Sequence, residues 1–208
     1  DIQTEKFDVA ISDHLFMKRD FYNVLKKMIR KSKVKENPKY VYSGLFSYLI
    51  PEIVKNCTGV DFETYLQTNF YVPLQAESIC FKASQLYDKT QIVPTEIDTF
   101  FREKLLHGVV HDEGAAFMKG ISGNAGLFGN AEDIAKVWRL FTGFGKLDTM
   151  RFLEERTVAL FTTSHYHNLG NRRGLGFDKP LLEYNAEKSS VSRSATFSSY
   201  GHTGFTGP

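Results

Sequence analysis

Cysteine is scarce in this 208-residue chain. Cys57 and Cys80 are too few for a disulfide framework, and each has the apolar neighbours of a buried free thiol. Charge of one sign is missing too: Lys+Arg 26 against Asp+Glu 24 leaves a formal net charge of +2, which makes no whole-chain case for nucleic acid or an acidic membrane surface as partner. No run of apolar residues is long enough for membrane insertion. The opening Asp1-Ile2-Gln3-Thr4-Glu5 lacks the basic and apolar stretches of a signal peptide, as a chain starting mid-protein would in any case. Neither Gly-x-Gly-x-x-Gly nor Gly-Lys-Ser/Thr occurs, so no phosphate loop is expected, and no Gly-x-Ser-x-Gly elbow is present. There is no internal repeat. What is present, 42% hydrophobic and 14% aromatic residues, suffices for a sizeable core.

Periodicity gives helices through most of the chain. From Phe16 to Ile29 the residues Phe21, Val24, Leu25, Met28 and Ile29 recur at helical spacing, with Lys26, Lys27, Arg30 and Lys31 largely opposite. Such a basic face is read as solvated, with nucleic acid or lipid as the lesser alternative. Leu45 to Val54 continues as a helix stopped at Thr58-Gly59, and Pro51 implies that it kinks or starts late. Asp61 can cap a helix from Phe62 to about Phe70, closed by Pro73. No period is clear between Lys82 and Phe101. Glycines 120, 123, 126 and 129 suit a pocket wall, and Asn130 can cap a helix carrying Ile134, Val137, Trp138, Leu140 and Phe141 on one face. Another helix is expected from Glu154 to Phe161, then strands at Arg173 to Phe177 and Ser199 to Phe205.

Two triplets about 160 residues apart stand out, Tyr42-Ser43-Gly44 and His202-Thr203-Gly204. They resemble the second and third motifs of the serine penicillin-recognising family, which includes class C β-lactamases, DD-peptidases and related esterases. The segments after Tyr42, through Thr58-Gly59 to Asn69-Phe70-Tyr71-Val72-Pro73-Leu74, and the run Ala125-Gly126-Leu127-Phe128-Gly129 are similar as well, so the likeness covers most of residues 40–208. It implies an α/β fold of the β-lactamase/transpeptidase type, an antiparallel sheet with a flanking helical region. Residues 1–208 would form part of a single such domain, incomplete at both ends, with the helical region at about 12–165 and late sheet strands at about 172–208. The family's first motif, Ser-x-x-Lys, lies well upstream of the tyrosine triplet, whereas only 41 residues precede Tyr42 here. The chain is therefore expected to be a fragment that is inactive alone.

By that likeness Tyr42 would be the acid/base partner of the absent serine and His202 a second catalytic group near it. Thr203 would bind a substrate carboxylate or amide, Gly204 would let substrate lie along the strand edge, and the Phe205 N–H would donate to the oxyanion. His111 and Asp112 would hydrogen-bond at the mouth of the cleft. Gly44 departs from the Asn or Asp usual at its place, which puts efficient β-lactam turnover in doubt. His202 departs from the lactamase Lys and is a weaker fixed cation at neutral pH, which favours peptidase or esterase activity.

Several readings remain beside this one. Ser32-Lys33-Val34-Lys35 is a formal Ser-x-x-Lys, but it lies ten residues before Tyr42 on a basic segment. Ser43, His111 and Asp112 could form a hydrolase triad. His107 and His111, four apart and beside acidic residues, could bind zinc, although the order is wrong for His-Glu-x-x-His and Gly108 argues against a helix. No cofactor or metal is the preferred expectation. The expected partner is a small-molecule or peptidoglycan-like substrate in an extracytoplasmic setting, with no nucleic acid and no membrane insertion, and with further polypeptide fused to the chain or completing it. The alternative is a non-catalytic β-lactamase-like ligand-binding or accessory domain of a cell-wall or carbohydrate enzyme.

Overall fold

The computed structural model describes residues 3–33 and 40–205. The helices are α1 (Phe21–Lys31), α2 (Ile50–Thr58), α3 (Phe62–Leu66), α4 (Glu113–Phe117), α5 (Ala131–Thr142) and α6 (Glu155–Thr162). The strands are β1 (Val9–Ala10), β2 (Phe16–Met17), β3 (Cys80–Phe81), β4 (Glu96–Asp98), β5 (Lys104–Leu106), β6 (Leu127–Phe128), β7 (Lys146–Leu147) and β8 (Met150–Arg151). They pair antiparallel as β1 with β2, β3 with β6, β4 with β5 and β7 with β8. Helices thus alternate with small antiparallel ladders in an α/β arrangement. Two compact units are distinguishable: one holds most described residues up to Ala135, the other residues from Lys136 onward together with 40 and 41.

In the first unit, α1 starts later than its periodicity suggests. Phe16 and Met17 are taken into β2 against Val9 and Ala10, and the helix forms only after the Asp20 turn. None of its residues is buried; Phe21 stacks on Phe117 at 4.8 Å, and Tyr22 Oη and Lys26 Nζ both donate to Glu52 of α2, at 2.7 and 2.9 Å. Leu45–Leu49 is a 3-10 turn that passes into α2 at Ile50, with Pro51 in the first helical turn, where its missing N–H has no intrahelical partner to lose. The late start implied by Pro51 is therefore observed. Asp61 does not cap α3 with its side chain; its carboxylate pairs with Lys55 Nζ at 2.7 Å instead. Cys57 is exposed because α2 buries none of its residues, a correction to the expectation of two buried thiols, whereas Cys80 on β3 is buried.

In this unit Leu74, Ala76, Ile79, Cys80, Phe81 and Leu106 are buried, and Val110, Ala115 and Ala116 form a buried cluster against which Ile11, Phe101 and Ala125 pack. Asn130 caps α5 as expected: its Oδ1 accepts the Asp133 N–H at 2.8 Å. Asp133 in turn accepts from the Ser78 N–H and Oγ at 2.8 and 2.6 Å, which ties the helix start to the strand region before β3.

In the second unit Leu140 and Val158 are nearly inaccessible, and Trp138, Phe141, Phe177 and Tyr200 form a chain of edge and tilted ring contacts with centroids 5.3 to 6.3 Å apart. The two strands expected here do not form among the described residues. Gly174 to Phe177 is a turn, closed by the Gly174 N–H on the Phe177 carbonyl at 3.0 Å, with Gly176 at φ +86. The next residue, Asp178, makes a single antiparallel bridge to Gly201.

Candidate active site

Tyr42-Ser43-Gly44 leads into the 3-10 turn. Tyr42 is exposed, and Ser43 Oγ accepts the Leu45 N–H at 3.3 Å. The glycine-rich loop packs on this turn: the Gly123 N–H reaches the Ser47 carbonyl at 3.2 Å, and a Cβ on Gly123 would fall 2.7 Å from that carbonyl and from Ile50 Cδ1. Glycine at 123 is thus required for the close approach. Beside Gly44 the nearest atom to a hypothetical Cβ is Asn124 Nδ2 at 3.7 Å, while Asn124 Oδ1 accepts from the buried Ser122 at 2.6 Å. An amide therefore stands near Gly44 even though the triplet itself carries none.

His111 and Asp112 lie between β5 and α4. Asp112 Oδ1 accepts the Ala115 N–H at 2.6 Å and so caps α4. The Tyr48 phenol lies against the same carboxylate. Burial pushes this phenol above its ordinary value, and the Asp112 and Glu113 charges add to that. His111 Nδ1 is 2.6 Å from Glu96 Oε1.

Behind them runs a frame that the sequence reading missed. The Arg102 guanidinium, 2% exposed, donates to Asp98 Oδ2 at 2.9 Å, to the Val110 carbonyl at 2.6 Å and to the His111 carbonyl. Asp98 also accepts the N–H groups of Phe100, Phe101 and Arg102 at 3.0, 2.8 and 3.1 Å. Burial alone would raise this carboxyl, but the Phe101 N–H, the guanidinium and the other two N–H groups outweigh it and hold it well below the usual carboxylate range. The legible signal was Asp98-Thr99-Phe100-Phe101-Arg102 itself: an Asp that can bond forward to backbone N–H groups, with an Arg four residues on.

The residues of two alternative readings have the following contacts. His107 Nε2 is 2.7 Å from the Ile92 carbonyl, His111 faces Glu96, and among the described residues no three His, Cys, Asp or Glu side chains converge to hold a metal. Ser32 is exposed at the end of α1, with its Oγ on the Ile29 carbonyl at 2.6 Å; Val34 and Lys35 of that Ser-x-x-Lys lie outside the described residues.

In the second unit, His202, Thr203, Gly204 and Phe205 are all exposed. His202 Nε2 is 3.1 Å from Arg173 Nη1 and its Nδ1 is 2.7 Å from the Thr203 carbonyl. Arg173 Nη2 and Arg172 Nη2 both donate to Asp178 Oδ2, at 3.2 and 2.9 Å. Tyr42 belongs to the first unit and His202 to the second.

No family model matches the chain. Curated relatives do. A protein of Escherichia coli (strain K12) named "Putative D-alanyl-D-alanine carboxypeptidase" is 30% identical over 198 residues, covering 87% of this chain and 44% of its own length. A protein of the same name from Salmonella agona (strain SL483) is 29% identical over 196 residues with the same coverage. The chain therefore spans less than half the length of these relatives. The solved octameric penicillin-binding protein homologue from Pyrococcus abyssi matches with a TM-score of 0.51 at 15% identity, over 70% of this chain and 30% of that one. The chain has the α/β fold of that homologue, and in sequence it is similar to the relatives named above.

Proposed function

We propose that this chain is part of a serine hydrolase that acts through an acyl-enzyme on an ester, a D-amino-acid peptide or a β-lactam, in an extracytoplasmic setting. The reading is carried by the likeness, along 87% of the chain, to relatives named as carboxypeptidases of D-alanyl-D-alanine. The serine comes from polypeptide beyond residues 1–208, so this segment alone is inactive. Serine Oγ attacks the carbonyl carbon. Tyr42 takes its proton and passes it to the leaving amine or alcohol as the C–N or C–O bond breaks, and water then cleaves the acyl ester. Thr203 and Gly204 seat the substrate, and the Phe205 N–H donates to the oxyanion of the tetrahedral intermediate. Asn124, the amide nearest Gly44, is available for the contact that an Asn within the triplet would make.

Gly44 also favours a second reading, a non-catalytic domain that keeps the fold to bind ligand. Intact mass of the full-length parent after exposure to a β-lactam and an activated ester separates the two. An adduct on a serine upstream of Tyr42, absent from residues 1–208 alone, is the expected result. A residue other than serine at that upstream position, with no adduct, overturns catalysis and leaves the binding domain. An adduct on Ser32 or another serine within this chain overturns the assignment of the nucleophile.

A further inference from the structure

A guanidinium can only donate hydrogen bonds and a carbonyl can only accept them. His202 lies between one of each: Arg173 Nη1 is 3.1 Å from its Nε2, and the Thr203 carbonyl is 2.7 Å from its Nδ1. Both contacts are hydrogen bonds only when Nε2 keeps its lone pair and Nδ1 carries the proton. An imidazolium would turn an N–H toward the guanidinium and set two cations against each other.

Arg173 is itself held in place. Its Nη2 donates to Asp178 Oδ2 at 3.2 Å, and its backbone N–H reaches Asn171 Oδ1 at 3.0 Å. Asp178 exchanges both backbone hydrogen bonds with Gly201, at 2.7 and 3.0 Å, so the residue that anchors the guanidinium is tied to the one just before His202. Arg172 grips the same carboxylate at 2.9 Å and the Lys179 carbonyl at 2.6 Å. The Arg173 side chain is 19% exposed, so the guanidinium is held largely within the fold while His202 beside it is exposed.

We infer that Arg173 is the positioning residue of the His-Thr-Gly triplet: it fixes His202 as the neutral, Nδ1-protonated tautomer and itself carries the positive charge that a lysine would bring to that position. The functional consequence rests on the reading of residues 202–204 as a substrate-binding segment; the tautomer does not. It also gives a reason for histidine over lysine here, since an ammonium at position 202 would be repelled by Arg173.

The test is nitrogen-15 NMR of the histidine-labelled protein at a pH well above the ordinary histidine range of about 6.5, with His202 assigned by loss of its signals in His202→Gln. The expected spectrum shows a protonated Nδ1 and an unprotonated Nε2. Arg173→Met shifts the signals toward the Nε2-protonated form that free histidine favours, and Arg173→Lys, which keeps a cationic donor, shifts them less. A dominant Nε2–H form in the unmodified protein overturns the inference and needs no variant that could misfold. A charge exchange gives an independent check: His202→Lys lowers the melting temperature, and adding Arg173→Met restores it. Failure of that restoration also counts against the inference. The full-length parent separates this from the hydrolase reading. If it shows the Nδ1–H tautomer but forms no acyl adduct, catalysis fails and the positioning stands; if it forms an adduct with the other tautomer, the reverse holds.

Discussion

Two arginine–aspartate frames stand behind the two segments of greatest chemical interest, and they are built differently. Asp98–Arg102 is sealed, with side chains 5% and 2% exposed, and the arginine's donors reach a carboxylate and two backbone carbonyls. Arg172 and Arg173, by contrast, both donate to one carboxylate, Asp178, and are 29% and 19% exposed. The first frame therefore acts through geometry, fixing the path of Val110 and His111, while the second acts through charge, keeping a cation beside His202. A buried charge pair fixes geometry best when its hydrogen bonds are nearly complete, because each unmet donor or acceptor is costly there.

Breaking the sealed frame has the largest expected effect. Asp98→Ala leaves Arg102 buried without its carboxylate and should cost about 3–5 kcal/mol, with faster amide exchange through residues 110–115. The Asp98 carboxyl is held below its unfolded value, so its contribution is present above about pH 4 and is lost as pH falls through the lower folded value. Asp98→Asn removes that acid limb. Denaturant unfolding between neutral and acid pH checks both, and an unchanged acid limb in Asp98→Asn sinks the assignment.

The same region offers a steric test. A Cβ on Gly114 would fall 1.9 Å from Tyr48 Oη, so Gly114→Ala should cost about 1–3 kcal/mol by overpacking. Adding Tyr48→Phe should recover part of it by removing the clashing oxygen, and no recovery would show that the phenol is not the obstacle. The open frame is expected to be less sensitive. Asp178→Asn keeps the shape but removes the charge that both arginines share, and should cost about 1–2 kcal/mol. Its loss should shrink as salt is added, because partly exposed charges are screened; a salt-independent loss would make the second frame as geometric as the first.

Much of the first unit was legible because its signals are local. Pro51 places the start of α2, Asn130 the start of α5, and the apolar spacing after Phe21 the course of α1. Where a neighbour competes for a side chain, local rules fail: Asp61 is a sound cap by type, yet Lys55 takes its carboxylate, and Phe16 and Met17 fit a helical period yet pair with Val9 and Ala10. The strands expected near residues 173 and 201 depend on partners far along the chain, which periodicity cannot supply, and a turn closed at Gly174 and Phe177 stands in the first of those places. Of the site residues, Asp112 shows a helix cap that its position before Glu113 could have signalled, whereas the link from Arg173 to His202 spans 29 positions and leaves no local trace.

The smallest expected effect sharpens the comparison most. His111 is held twice: its carbonyl by Arg102 and its ring by Glu96, whose Oε1 is 2.6 Å from Nδ1. If the sealed frame governs the backbone alone, Glu96→Gln should release the ring and leave the chain path intact. The pair is partly exposed, at 22% and 29%, so the stability cost should be about 0.2–1 kcal/mol. Ring signals of His111 should move, while amide exchange at residues 110–115 stays as it was, because Arg102 still grips both carbonyls. Faster exchange there would mean that backbone and ring share one network, so that the loop carrying His111 and Asp112 is set by charge as much as by shape.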